Sequence, residues 1–296
     1  MEALEIVERL RASGCVFAED EAALIVETAR DATEVAAMVE RRVTGEPLEY
    51  VVGWASFCGL RIAVEPGVFI PRRRTEFLVA EALRVVHDGA VVVDLGCGSG
   101  ALAAAVAAQT NRHSTAAGGS AARGSAGIAG PEAPSTARTA GPGVRRSVGV
   151  YAADIEPVAV RCARRNLAPF GGVVFEGDLF AALPDDLRGR VDVLLSNVPY
   201  VPTDEIRLLP PEARLYEPRV TLDGGPDGLA TLRRVVAGAG EWLTPGGHLY
   251  VEMSDRQAPV AQAVMAAAGM PAEVVTDDDL GANVVHGWLD PALDVE

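Results

Sequence analysis

The tetrapeptide Asn197-Val198-Pro199-Tyr200 has the residue types needed to grip a planar amide or an exocyclic amine. The nitrogen of such a group is a poor nucleophile because its lone pair is delocalised. A site that alkylates it must hold the NH2 by two acceptors and aim the lone pair at the electrophile. The Asn197 side-chain oxygen and the Val198 backbone carbonyl can supply the acceptors, while Tyr200 packs on the amide plane. Pro199 biases Val198 towards extended backbone. Catalysis would then be mostly positioning and electrostatics, contributing on the order of 7–11 kcal/mol at the limit, with no strong general base. Elsewhere an asparagine followed by proline and an aromatic is an ordinary turn. Its neighbours decide between the two.

A second constellation lies upstream. Asp94-Leu95-Gly96-Cys97-Gly98-Ser99-Gly100 follows the apolar run Val91-Val92-Val93 and precedes a helical stretch from Ala101 to Ala108. The glycines therefore occupy a strand-to-helix turn, where backbone without Cβ atoms can approach a ligand closely. Gly96, Gly98 and Ala101 also satisfy the looser dinucleotide fingerprint. Asp94 just before the loop and the third glycine at 100 favour S-adenosylmethionine instead.

A nucleoside-type ligand further needs an acid at the end of the next strand, about 20 residues after the first glycine, to accept from the ribose hydroxyls. Asp154 ends the strand Val148 to Ala153; it lies 58 residues after Gly96, and 19 once a 39-residue insertion is set aside. A third strand, Val173-Val174-Phe175, runs into Gly177-Asp178-Leu179-Phe180. There Asp178 and Leu179 can bracket the adenine amino group and ring, although Asp178 also reads as a helix N-cap.

The elements that must carry these residues follow from hydrophobic pattern. Apolar strand candidates occur at 90–95, 148–153, 172–177, 190–196, 246–252 and 270–276, with a last one near 282–289. Near-continuous apolar runs alternating with helices imply a mostly parallel sheet covered on both faces, a doubly wound α/β domain. Ligands of such a sheet bind at the carboxyl ends of its strands, where Asn197 follows Val191–Leu195. Residues 2–43 have helical periodicity, with Val35, Met38, Val39 and Val43 on one face and Asp31 with Glu34 as a capping pair. From Tyr50 to Val64 the pattern becomes β-rich, with Leu60, Ile62 and Val64 alternating before Pro66-Gly67 as in a hairpin. The expected division is a helical unit at 1–46, a hairpin linker at 47–70 and an α/β domain at 71–296. Residues 109–147, with Ile128 and Val144 as their only large apolar side chains, are expected to form a disordered insertion.

Composition narrows the partners. The 296 residues contain 26 arginines and no lysine against 41 acids, a formal net charge of −15. Such a chain is repelled by a phosphate backbone unless its arginines gather on one face, so direct nucleic-acid binding is not expected. Cys15, Cys58, Cys97 and Cys162 are scattered without a C-x-x-C pair, and Glu2, Glu5 and Glu8 stand where a secretory leader needs positive charge. Neither disulfides, a metal site nor a membrane span is indicated, and a cytoplasmic location is expected.

Taken together, Arg41-Arg42-x-x-Gly45-Glu46-Pro47-Leu48-x-Tyr50, Phe57-x-Gly59-Leu60 and Pro66-Gly67-Val68-Phe69-Ile70-Pro71-Arg72 resemble the entry region of the HemK/PrmC-type release-factor glutamine methyltransferases. The glycine loop, Asp154-Ile155-x-Pro157-x-Ala159-Val160 and Asn197-x-Pro199-Tyr200 extend the resemblance. So do Tyr216-Glu217-Pro218-Arg219, Asp223-Gly224-Gly225-x-Asp227-Gly228-Leu229 and Pro245-Gly246-Gly247-x-Leu249 ahead of Glu252. The resemblance implies a seven-stranded class I methyltransferase fold behind a helical substrate-recognition unit, acting on the glutamine of the Gly-Gly-Gln motif of peptide chain release factors. It also implies that Gly96 to Gly100 and Asp154 bind the cofactor, that Leu179 flanks adenine, and that Asn197 to Tyr200 grip the glutamine. The chain departs from the pattern in three places. Val198 replaces a proline, Arg73-Arg74 replace Pro-Glu or Pro-Asp, and the segment before Arg41 is short. An adenine-N6 methyltransferase of nucleic acid, which uses the same Asn-Pro-Pro-aromatic chemistry, and a non-catalytic S-adenosylmethionine-binding protein are the alternatives.

Overall fold

The computed structural model describes residues 2–118 and 147–291, with backbone alone for 112–118. Three helices open the chain: α1 (Ala3–Ala12), α2 (Ala18–Thr28) and α3 (Ala32–Val43). They close a small core of Ile6, Leu10, Ala22, Ile25, Met38 and Val39. At the start of α3 the Asp31 carboxylate accepts from the amides of Thr33 and Glu34, both at 2.9 Å. The Glu34 carboxylate reaches back to the Arg30 amide at 2.7 Å, one residue short of the usual capping box. Val35 and Val43 sit beside the core, partly buried.

The segment expected to be β-rich from Tyr50 begins instead with a one-turn helix, α4 (Leu48–Val52), entered through Pro47 and closed by Gly53 at φ +82°. The hairpin follows as β1 (Trp54–Phe57) and β2 (Leu60–Ala63), paired antiparallel. Its turn is Cys58-Gly59, both at positive φ, as a two-residue hairpin connection requires. Pro66-Gly67 lies beyond it. After a short 3₁₀ turn at Arg73–Thr75 comes α5 (Glu76–Ala82).

The sheet domain then alternates: β3 (Val91–Leu95), α6 (Ala101–Gly118), β4 (Gly149–Asp154), α7 (Pro157–Leu167), β5 (Val173–Glu176), β6 (Val191–Ser196), α8 (Pro211–Tyr216), α9 (Ala230–Trp242), β7 (Leu243–Met253), α10 (Ala258–Ala267), β8 (Ala272–Asp277) and β9 (Ala282–Trp288). Strand order is β5-β4-β3-β6-β7-β9-β8, parallel except for β9, which runs antiparallel between β7 and β8. Successive side chains of a strand face opposite sides. Val92 accordingly packs with α5, α6 and α7, while Val93 packs with α9 and α10.

The helix α6 lies over the sheet through Ala101 to Ala108, all buried. It runs on through Gly118, ten residues past the point where composition placed the start of an insertion, because extending a formed helix costs far less than nucleating one. Of the remainder of that insertion, 119–146 lie outside the described residues.

Chain direction across the sheet reverses between β3 and β6, whose registers meet at Asp94 and Leu195. The carboxyl ends of these two strands lead into the glycine loop and into Asn197. Both predicted constellations therefore meet at the switch point of the sheet, the place where open α/β sheets bind ligands.

Candidate active site

A cleft opens at that switch point, walled by Gly96, Cys97, Gly98, Ser99, Asp154, Asp178, Leu179, Asn197 and Val198 among others. Gly96 stands at φ +67°, and a Cβ there would press on Val198 Cγ1 at 3.3 Å, so the floor is close-packed backbone. Asp154 is fixed at the end of β4. One carboxylate oxygen accepts from the Gly98 amide at 2.8 Å and the other from the Glu156 amide at 2.9 Å. Burial raises its pKa above the ordinary value despite these amide donors. A carboxylate has about four lone-pair directions, so this one retains acceptors for a vicinal diol.

Two predicted residues have other surroundings. Asp94 is fully buried behind the loop, where one oxygen accepts from the Ala103 amide at 3.3 Å, in the first turn of α6. Its other oxygen has no partner among the described residues, and burial pushes the carboxyl up to about 7. Gly100 turns towards α7: a Cβ would meet Ala163 Cβ at 3.0 Å. It serves helix packing, whereas Gly96 and Gly98 face the cleft. Asp178 borders the cleft but is paired with Arg234 at 2.7 Å. Leu179 adopts φ +48°, an uncommon and strained conformation for a residue with a branched side chain, beside Gly177 at φ +153°.

A second cleft shares Phe69, Asn197, Val198, Pro199 and Thr221 with the first, and adds Arg72, Arg74, Tyr200 and Glu212. The peptide Asn197-Val198-Pro199 is thus a common wall. Asn197 donates from Nδ2 to Thr75 Oγ1 at 3.4 Å, which leaves its carbonyl oxygen as an acceptor. Val198 buries its side chain against the glycine loop, so its contribution to the clefts is backbone. Of these two clefts Tyr200 lines the second, and its hydroxyl donates to Glu252 at 3.0 Å. Burial first, and the Glu252 charge next, raise the phenol pKa, so Tyr200 is neutral and serves as a packing surface.

Backbone scaffolding holds this wall from behind. Gly224 and Gly228 leave room for the carbonyls of Pro199 and Tyr200, and a Cβ on Gly228 would overlap Tyr200 O and Gln257 Nε2. Gln257 donates from Nε2 to Tyr200 O at 2.7 Å and to Asp227 O at 3.1 Å. Glu217 accepts from Arg72 Nη2 at 2.5 Å and from the Ile70 amide at 3.3 Å. Glu217, Gly224 and Gly228, from the motifs Tyr216 to Arg219 and Asp223 to Leu229, thus frame the loop.

Sequence reasoning missed Phe69, Ile155, Thr231 and Arg234 as wall residues, and Thr75 as the buried partner behind Asn197. Phe69 and Ile155 carried a signal, since both stand in the motifs that resemble the family, Ile155 directly after Asp154 at the strand end. No group of three or more His, Cys, Asp or Glu suited to a metal occurs among the described residues.

Comparison with known proteins agrees with this geometry. A family model described as "RMKL-like, methyltransferase domain" matches residues 82–204. A release factor glutamine methyltransferase of Geobacter sulfurreducens is 38% identical over 252 residues, covering 84% of this chain and 75% of its own. Those of Bordetella pertussis and Caulobacter vibrioides are 34% and 32% identical, covering 85% and 86% of this chain and 81% and 77% of theirs. The seven-stranded order with an antiparallel β9, and the glycine-floored cleft at its switch point, define a class I S-adenosylmethionine-dependent methyltransferase. Within that class, the chain belongs to the release factor glutamine methyltransferase family.

Proposed function

We propose that this protein methylates the side-chain amide nitrogen of a protein glutamine, that of the Gly-Gly-Gln motif of a peptide chain release factor. The observation that carries the reading is the Asn197–Thr75 bond, with Asn197 on the wall common to both clefts. With Nδ2 engaged, the Asn197 oxygen accepts one amide hydrogen of the substrate, and the Val198 carbonyl accepts the other. The nitrogen lone pair then faces the first cleft. Tyr200, on the second cleft, packs on the amide plane.

The residues of the first cleft suit the cofactor. Gly96, Cys97, Gly98 and Ser99 supply close backbone, Asp154 takes the ribose hydroxyls, and Ile155 and Leu179 offer apolar faces for the adenine. S-adenosylmethionine, when bound there, supplies an electrophilic methyl group on sulfur. The protein's own contribution is to hold the amide in line and exclude competing orientations, for which effective molarity is the main source of rate. Gly96 to Gly100 act as a unit in which Gly100 and Asp94 shape the loop from behind.

The helical unit 1–46 and the hairpin linker serve substrate recognition, since Arg42 of α3 reaches Glu212 on the second cleft at 2.7 Å. No described helix is long and apolar enough to cross a membrane, and a release-factor substrate would be met in the cytoplasm.

The test is transfer of labelled methyl from S-adenosylmethionine to a panel of acceptors. A purified release factor should be labelled, whereas its glutamine-to-alanine variant and adenine-containing DNA should not. Label in DNA and none in the release factor would replace this reading with adenine methylation. Cofactor binding with no transfer to any acceptor would favour a binding protein.

A further inference from the structure

The 3₁₀ turn Arg73–Thr75 touches both ends of the acceptor loop. Thr75 receives Nδ2 of Asn197 at 3.4 Å. Its neighbour Arg74 donates from Nη2 to the Tyr200 hydroxyl at 2.5 Å and from Nε to Glu252 Oε1 at 2.9 Å. Tyr200 in turn donates to the same Glu252 oxygen at 3.0 Å. Three groups thus form a closed triangle at the edge of the second cleft, which both Arg74 and Tyr200 line.

Charge makes the triangle more than a packing contact. The Glu252 side chain is 3% exposed and that of Arg74 45%, so the carboxylate depends on this guanidinium while the guanidinium keeps a face towards the cleft. The other Glu252 oxygen has no partner among the described residues. Arginine's planar fork reaches two acceptors at fixed angles, which a lysine point charge does not reproduce.

We infer that Arg74 is a positioning residue for the acceptor glutamine, acting through the Tyr200 hydroxyl to hold the ring against the substrate amide while neutralising Glu252. The inference rests on the proposed reaction. Arg74 touches neither reacting atom; it fixes the surface that does the orienting. A positioning error of this kind lowers turnover and leaves the first cleft, and hence cofactor binding, unchanged.

The experiment is a double-mutant cycle on methylation of a purified release factor by the full-length protein, with cofactor affinity measured by calorimetry. Arg74→Ala should lower kcat by roughly 10- to 100-fold, the range for a misplaced reacting group, with unchanged affinity for S-adenosylmethionine. Tyr200→Phe should give a comparable loss, and the two changes together should cost no more than either alone, since both break one connection. Arg74→Ala also strands a buried carboxylate, which by itself destabilises. Arg74→Ala/Glu252→Gln removes that charge. It should recover the melting temperature but not kcat, and Arg74→Lys should recover kcat in part. Full recovery of kcat by the Glu252→Gln combination, or multiplying losses for Arg74 and Tyr200, would overturn the inference by reducing Arg74 to a structural ion-pair partner. Equal kcat in wild type and Arg74→Ala overturns it alone, whereas no transfer by the wild type overturns the proposed reaction as well.

Discussion

Thr75 Oγ1 receives a hydrogen bond from Asn197 Nδ2 across 122 positions of sequence, and in doing so decides which atom of Asn197 faces the clefts. Thr75 is itself buried, at 1% exposure, so the bond is shielded from competing water. A side-chain amide is symmetric in shape and opposite in chemistry at its two ends. Without the threonine hydroxyl it can turn a donor towards a substrate that also presents a donor.

Asn197→Ala should therefore cut turnover by ~100-fold or more, as expected for a lost charge-stabilising and positioning contact, with little change in cofactor affinity. Thr75→Val, which keeps shape and removes the acceptor, should fall between wild type and Asn197→Ala. Single-turnover rates measured with calorimetric affinities for S-adenosylmethionine test both. Equal turnover in Thr75→Val and wild type would mean that the bond does not orient the amide.

Val198→Pro should leave activity equal or better. The position contributes a carbonyl to the wall, its side chain packs on Gly96, and no bond from its amide N–H is found among the described residues. Initial rates on a release-factor substrate decide the matter. A loss approaching that of Asn197→Ala would show that the Val198 side chain, not its carbonyl, is what matters.

Gly228→Ala tests the scaffold behind the wall. The new methyl would overlap Tyr200 O and the Gln257 amide, at a backbone position with φ +75°. Backbone cannot retreat cheaply, so both turnover and stability should drop, by at least about 1–3 kcal/mol for the strain alone. Gly246→Ala, at φ +79° but with open space around the Cβ, separates the conformational cost from the collision. Similar melting temperatures for the two variants would contradict the steric account.

Much of this was legible in the sequence, for a physical reason. The central strands carry short runs of consecutive apolar residues, Val91-Val92-Val93 in β3 and Val193-Leu194-Leu195 in β6, because both faces are covered, and such runs stand out against alternating helices. Asp154 could be matched to the glycine loop across a long insertion because the spacing is fixed by one helix and one strand. Other features were not legible. The strand β7 begins at Leu243 and passes through Pro245-Gly246-Gly247, which reads locally as a turn, and its pairing with β6 shifts register there. The five-residue α4 is too short for periodicity to register. Thr75, Arg74 and Arg234 reached the site by tertiary packing alone. Asp94 had the right type and spacing for a ligand contact, yet backbone geometry turned it to the first turn of α6, a distinction that spacing does not encode.

That buried Asp94 carries a pH signature. Its carboxyl is raised by burial from an ordinary 3.8 to about 7, so the folded state holds the proton more tightly than the unfolded one. Its favourable contribution to stability is complete below the unfolded value and is lost as pH rises through about 7. Asp94→Asn, which resembles the neutral carboxyl, should melt above wild type near pH 8, and the difference should shrink as pH falls towards 4. Thermal melts of the cofactor-free proteins across that range provide the check. A difference independent of pH would mean that Asp94 is ionised in the folded protein at all these pH values.

The most direct test of the central claim is tandem mass spectrometry of a release factor after reaction with the protein and S-adenosylmethionine. A single added methyl should be located on the side chain of the Gly-Gly-Gln glutamine, present with wild type and strongly reduced with Asn197→Ala at equal cofactor occupancy. Modification of any other residue, or an unchanged yield at that glutamine with Asn197→Ala, would contradict the account of Asn197 and Val198 as the acceptors that hold the amide.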